Sequence, residues 1–266
     1  MNHVNRFTRQ MVSVVGLAVL VLAGWSQVGH AQATGIEPQA EKLLRRMSDY
    51  LAGRQQFTLK AESTLEAVLT SGQKLQYDSP ATLSVSRPNK LRAHRKGDLV
   101  NQEFFYDGKA LTLYNPRENL YATTAAPATL DEMLDFAREK LDVFAPAAEL
   151  LYKNAAEKML KEASSGILVG PSMIGGVKTT QLAFRGAEVD WQIWIDDGDK
   201  PLPRKFVLTS TKVTGTPQFT ILIKNWDVAA KLSNQEFSFT PPKGAKKIEF
   251  LKLTGETAKT TSAKSK

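Results

Sequence analysis

From Phe57 onward the chain alternates. The odd positions read Phe57, Leu59, Ala61, Ser63, Leu65, Ala67 and Leu69, and the residues between them are Thr58, Lys60, Glu62, Thr64, Glu66 and Val68. A period of two sustained over this length predicts a long strand with one dry face. Ser71-Gly72 supplies a turn, and a second alternation sets Ala81, Leu83 and Val85 against Thr82, Ser84 and Ser86. Leu91 and Ala93 then alternate with Arg92 and His94. Asp107-Gly108 lies between two β-rich runs, Val100 to Tyr106 and Ala110 to Tyr114, which is a hairpin signal. Asn115-Pro116 marks the next turn, followed by a short strand at Leu120-Tyr121.

Two regions change to helical spacing. Before the first strand, Ala40, Leu43, Leu44, Met47 and Leu51 form one stripe and Lys42, Arg45, Arg46 and Asp49 the other, ending near Gly53. In the middle of the chain, Thr129-Leu130-Asp131-Glu132 is a capping box, and Leu130, Met133, Leu134, Ala137 and Leu141 form the stripe behind it. Pro146 fits the first turn of a second helix, with Ala148, Leu151, Ala155 and Met159 as its apolar side. After Ser164-Ser165-Gly166 the runs Val177 to Phe184, Val189 to Ile195, Lys205 to Thr211 and Phe219 to Trp226 are rich in β-branched and aromatic residues. Phe237 and Phe239 predict a final strand, stopped by Pro241-Pro242. The result is a single α+β domain of about eleven or twelve antiparallel strands, with an N-terminal helix and a helical insert, residues 129–163, between two strand blocks.

Composition narrows the function. There is no cysteine, which excludes disulfides, thiolate metal sites and a cysteine nucleophile, and three histidines cannot build a histidine-rich metal centre. Arg6 and Arg9 precede an apolar run from Met11 to Trp25, about 15 residues against the roughly 20 that span a bilayer. With the small-x-small exits at Gly29-His30-Ala31 and Ala31-Gln32-Ala33, residues 1–33 read as a cleaved signal peptide. The domain then runs over 34–253, and 254–266 is a Lys-rich tail whose composition predicts disorder. The expected destination is the periplasm, soluble and without a lipid anchor. The net charge of +8 is dispersed over both strand blocks, which argues against nucleic acid and fits anionic headgroups at a membrane surface.

Few residues offer chemistry. Arg87 continues the odd set of Ala81, Leu83 and Val85, so an unbroken strand points it to the dry face, where it needs acceptors from the insert; a strand ending at Ser86-Arg87 leaves it in solvent. His94 falls on the polar face with no orienting acid, a surface histidine. Asp196-Asp197-Gly198-Asp199 lacks the rest of a calcium-loop pattern and reads as a hairpin turn, and Gly175-Gly176 is also a turn. No catalytic group, metal or cofactor is implied. The apolar strand faces are either core or cavity wall. A sheet this long cannot close on itself without leaving interior volume, so Phe57, Leu59, Leu65, Leu83, Val85, Trp191 and Ile193 are candidates to line a pocket.

SRPNKLRAHRKGD from Ser86, FFYDGKALTLYNPRENLYATT from Phe104 and FTPPKGAKKI from Phe239 follow one another in an order and spacing that resemble the LolA/LolB-type periplasmic lipoprotein carriers. The Trp-Gln-Ile-Trp-Ile-Asp run from Trp191 and Pro-Leu-Pro from Pro201 look like a related family of predicted periplasmic proteins, a sister branch. The resemblance implies an open antiparallel half-barrel whose concave face is closed by helices and receives acyl chains. It also implies that the arginine before Pro-Asn, here Arg87, latches the helical lid. The chain departs from the carriers in its longer insert, its missing Trp near the Arg-Pro strand and its Lys-rich tail. The function expected is non-catalytic binding and transfer of acyl chains, from lipid or an acylated protein, with transient contact to a membrane surface or a membrane-bound donor or acceptor. The alternative from another class is a periplasmic sensor or regulator that binds a protein partner through the same half-barrel.

Overall fold

The alternating runs become strands of one sheet. The structure is a computed structural model describing residues 35–250 apart from residue 144, so the signal-peptide segment and the tail from 254 lie outside the described residues. A two-residue strand β1 (Gly35–Ile36) precedes α1 (Pro38–Ala52), and then come β2 (Gln56–Val68), β3 (Lys74–Ser86), β4 (Lys90–Lys96), β5 (Asn101–Tyr106), β6 (Ala110–Asn115) and β7 (Leu120–Ala125). The insert holds α2 (Leu130–Leu141), a single 3-10 turn (Ala148–Leu151) and α3 (Ala155–Lys161). β8 (Ala163–Ile174), β9 (Val177–Gly186), β10 (Val189–Asp196), β11 (Pro203–Ser210) and β12 (Gln218–Asp227) follow, and β13 (Lys246–Ile248) is last.

Across the 13-stranded sheet the order is β1-β8-β9-β10-β11-β12-β2-β3-β4-β5-β6-β7-β13. Strands β2 to β12 pair antiparallel throughout, as the sequence predicts, whereas β1 and β13 join the two edges in parallel to β8 and β7. The sheet is therefore mixed at its margins, an open half-barrel with helices on its concave side. Those short parallel strands have too few residues to carry a pattern.

Register carries the dry face from strand to strand. Phe57 lies opposite Val85 and Leu59 opposite Leu83, and on the other side of β3 Val85 faces Leu91 and Leu83 faces Ala93. Helices cover this face in two separate places. Leu44, Met47 and Leu51 of α1 with Met159 of α3 pack on Leu182, Phe184, Trp191, Ile193 and Phe206 of β9 to β11. Leu130, Met133 and Ala137 of α2 pack on Phe57, Val85, Leu91, Tyr106 and Leu111 of β2 to β6. α2 starts as predicted: Thr129 Oγ1 accepts from the Glu132 N–H at 3.3 Å, though the Glu132 carboxylate takes the Thr129 hydroxyl at 2.8 Å instead of a backbone N–H.

Three expectations need correction. The single second helix is broken into the 3-10 turn and α3, with Ala147 at φ 69°. Tertiary partners replace helical ones there: the Tyr152 hydroxyl donates to Asp135 at 2.7 Å and the Ala156 N–H donates to Ser48 Oγ at 3.1 Å. β8 begins at Ala163, so Ser164-Ser165-Gly166 is strand with a bulge between Ala163 and Ser165, not connection. Phe237 ends a 3-10 turn, and Phe239 packs on the outer face against Phe105, Tyr114 and Tyr121, centroids 5.2–5.4 Å apart. Tertiary contact with that aromatic face, not strand pairing, orders the segment.

Gly166 shows how tight the larger core is. A Cβ there would lie 2.4 Å from the Phe184 ring, which stacks on Trp191 at 3.9 Å. Gly166→Ala is expected to lower stability by about 1–3 kcal/mol, the usual penalty of overpacking. A urea denaturation midpoint equal to that of the native chain would contradict it.

Candidate functional site

The two helical covers are tied to each other through Asp135 of α2, which accepts from the Tyr152 hydroxyl at 2.7 Å and from Lys158 Nζ of α3 at 3.2 Å, yet they do not fill the space over the middle of the sheet. Between them, above β2, β12 and β3, lies an apolar cavity of about 190 Å³. Its floor is Leu59, Leu83, Ala93, Phe104, Phe219, Ile221, Ile223 and Trp226, and its roof is Met133, Leu134, Ala137, Val143, Ala147 and Leu150. Trp226 faces inward because β12 carries a bulge between Ile223 and Asn225, which reverses the parity of every residue after it. Its indole N–H donates to the Pro203 carbonyl at 3.0 Å and its ring tilts against Phe57. A second, more polar cavity of about 370 Å³ adjoins the first, sharing Leu134, Ala137, Val143, Ala148 and Phe219 and adding Leu65, Glu66, Arg138, Glu149 and Tyr152. Apolar cavities near 150 Å³ already take a benzene-sized guest, and sites for larger ligands run from about 300 to 1,000 Å³.

The predicted lining residues divide. Leu59 and Leu83 border the apolar cavity and Leu65 the second one. Phe57 and Val85 are fully buried under α2, and Trp191 and Ile193 lie in the core under α1 and α3. His94 is half-buried, its Nε2 3.3 Å from Asn101 Oδ1, and its side chain alternates to the outer face. The Asp196 carboxylate is engaged by Arg204, Nε and Nη2 each 2.7 Å from one oxygen.

Arg87 does not reach solvent: it is 7% exposed. Its N–H donates to the Gln55 carbonyl just past the end of β3, and its Nη2 donates to the Leu151 carbonyl of the insert at 2.7 Å. Nε and Nη1 are buried without a partner among the described residues. Burial pushes its pKa down, and the charge of Asp131 opposes that. Arg87 thus ties sheet to insert at the side of the cavity and is not part of its wall. The Leu130 N–H, donating to the Pro88 carbonyl at 2.9 Å, is a second tie one residue along.

Sequence reasoning missed Arg95 and Trp226. Arg95 shares the parity of Leu91 and Ala93, so the alternation itself would have found it; the bulge hid Trp226.

Residues 40–251 match the family described as "Predicted periplasmic protein (DUF2092)". The chain belongs to this family. No curated protein matches the sequence. Among solved structures it is similar to an uncharacterized conserved protein from Thermus thermophilus, with 12% identity, a TM-score of 0.49 and coverage of 79% of this chain and 99% of that one. LprF from Mycobacterium bovis is similar with 13% identity, a TM-score of 0.45 and the same coverages. MucB in the Pseudomonas aeruginosa MucA/MucB complex is similar with 15% identity, a TM-score of 0.43 and coverage of 76% of this chain and 61% of that one.

Glu149 lies where the second cavity meets the 3-10 turn. Burial raises its pKa above the ordinary glutamate value, against the opposing effects of backbone N–H groups and the charge of Arg138, and its Oε2 is buried without a partner among the described residues. A carboxyl with a raised folded-state pKa makes its ionised form destabilising, so the penalty is present at neutral pH and disappears as pH falls below the unfolded value, about 4.3. Glu149→Gln is expected to raise the melting temperature by a few degrees at neutral pH and to match the native chain in acid. Equal melting temperatures at neutral pH would contradict it.

Proposed function

We propose that this DUF2092 protein binds acyl chains in the apolar cavity and transfers them, without catalysis, within the periplasm. On this reading residues 1–33 are removed as a signal peptide, residues 34–253 form one carrier domain and no lipid anchor holds it. The cargo is the acyl chain of a lipid or a lipidated protein, exchanged by transient contact with a membrane surface or a membrane-bound donor or acceptor. The observation that carries the reading is the apolar cavity enclosed between the sheet and its helical covers. Its wall is almost wholly aliphatic and aromatic, and burial of each methylene there contributes about 0.8 kcal/mol.

The volume argues for a moving cover. About 190 Å³ holds a short stretch of chain, so a longer chain needs the second cavity or displacement of α2. Arg87 acts as the latch in this scheme. Its one charged hydrogen bond to the insert is worth about 1.5–3 kcal/mol, enough to bias a cover without locking it.

A fluorescent fatty acid titrated into purified protein tests the reading. The native chain should bind it, and Ala93→Phe, which fills the floor between Leu83 and Phe104, should weaken binding about tenfold or more while the melting temperature stays within a few degrees. Arg87→Leu should release the probe faster with little loss of stability. A native chain that binds no fatty acid, or an Ala93→Phe chain that binds it equally well, overturns the proposal.

A further inference from the structure

The apolar cavity has one charged end. Arg95, on β4, is opposite Ala81 of β3 and Gln102 of β5, on the face that carries Leu91 and Ala93. It borders the cavity beside Ala81 and Ser63, and His94, the other titratable residue along that wall, turns its side chain to Asn101 on the outer face. Ser63 already donates its hydroxyl proton to the Ser79 carbonyl at 3.0 Å, and among the described residues of the wall Arg95 is a cationic donor without a partner.

Its surroundings differ from those of its neighbours. Arg92, on the opposite face of the same strand, pairs with Glu103 at 3.1 Å and lies 3.9 Å from Glu236. Arg204 is held by both oxygens of Asp196. The side chain of Arg95 makes no ion pair and no hydrogen bond with any of the described residues, although it is half-buried. Burial alone pushes its pKa down, with no carboxylate offsetting it. A guanidinium partly removed from water without an acceptor is disfavoured, and a ligand that supplies the acceptor recovers that free energy. The planar fork of the guanidinium suits the paired oxygens of a carboxylate or a phosphate.

We propose that Arg95 is the headgroup site of the cavity: it holds the carboxylate or phosphate of a single-chain anionic amphiphile whose tail lies over Leu59, Leu83, Ala93 and Trp226. This assignment rests on the acyl-chain reading above and adds the charge and the chain number of the cargo. The volume favours one chain over two, since the apolar cavity of about 190 Å³ takes a short stretch of one chain beside Arg95 and the rest of a longer tail needs the adjoining cavity or a displaced α2.

Calorimetric titration of the full-length protein with three probes sharing one tail tests it: myristate, myristoyl lysophosphatidate and the neutral monomyristoylglycerol. Arg95→Gln is expected to weaken one or both anionic probes about tenfold or more and to leave the neutral one unchanged, and Arg95→Lys should recover part of the loss. Loss confined to myristate assigns a carboxylate headgroup, and loss confined to the lysophosphatidate assigns a phosphate. Melting curves should show Arg95→Gln folded and no less stable, because it removes a charge without a partner. Undiminished binding of both anionic probes by Arg95→Gln, or an equal loss for the neutral probe, overturns the assignment of Arg95 while the cavity reading stands. Failure of the native chain to bind any of the three overturns the cavity reading and this assignment with it.

Discussion

The pairing of β2 with β12 makes one sheet out of two strand blocks. They are separated in sequence by the helical insert, and the β2–β12 ladder is the pairing that joins β8–β12 to β2–β7. Phe219 opposite Leu65, Ile221 opposite Ser63 and Trp226 opposite Leu59 continue the dry face through the joint. Each flank then finds helices of its own, α1 and α3 on one side and α2 on the other, because the insert is long enough to reach both. The centre is left over. The joint is lined by Leu59, Ala61 and Ile223, with Leu83, Ile221 and Trp226 around them, and the cavity opens above it. A void of this kind costs packing free energy, since its walls lack contact atoms on one side.

Charge away from the cavity wall is held in two ways. Arg204 and Asp196 form a part-buried pair in bidentate geometry, which ties the end of β10 to β11. Arg87 is more deeply buried than Arg204 and among the described residues has one side-chain acceptor, a backbone carbonyl of the insert. A charge held by a single bond at the edge of a cover is an interaction that can be exchanged for water when the cover moves, whereas the Arg204–Asp196 pair would have to separate two charges. Lys158 and Tyr152, both bonded to Asp135, tie α2 to α3 and to the residue after the 3-10 turn.

Much of the fold was legible because period two is hard to mistake over a strand as long as β2, and because Asp107-Gly108 and Thr129 carry local hydrogen-bonding signatures: Asp107 Oδ1 accepts from the Lys109 and Ala110 N–H groups at 2.9 Å. Arg87 bonds to the insert, and Leu59 and Leu83 border the cavity. What sequence could not show depends on contacts between distant segments. The break at Ala147 and Tyr152 follows from partners on α1 and α2. The inward turn of Trp226 follows from a bulge, which local alternation does not announce. Core and cavity wall have the same composition, so Phe57, Val85, Trp191 and Ile193 were indistinguishable from true lining until the position of the helices was known. Arg95 is the opposite case: parity alone places it on the dry face, and it was passed over beside the more conspicuous His94.

On the proposed function the void above the β2–β12 joint is a binding site and not a packing defect. Native mass spectrometry of the mature protein, isolated gently from periplasm, tests this most directly. The expected spectrum contains a second species heavier by one single-chain anionic amphiphile, lost on activation and absent from Ala93→Phe. A spectrum showing only the bare polypeptide, unchanged after incubation with myristate, would contradict it.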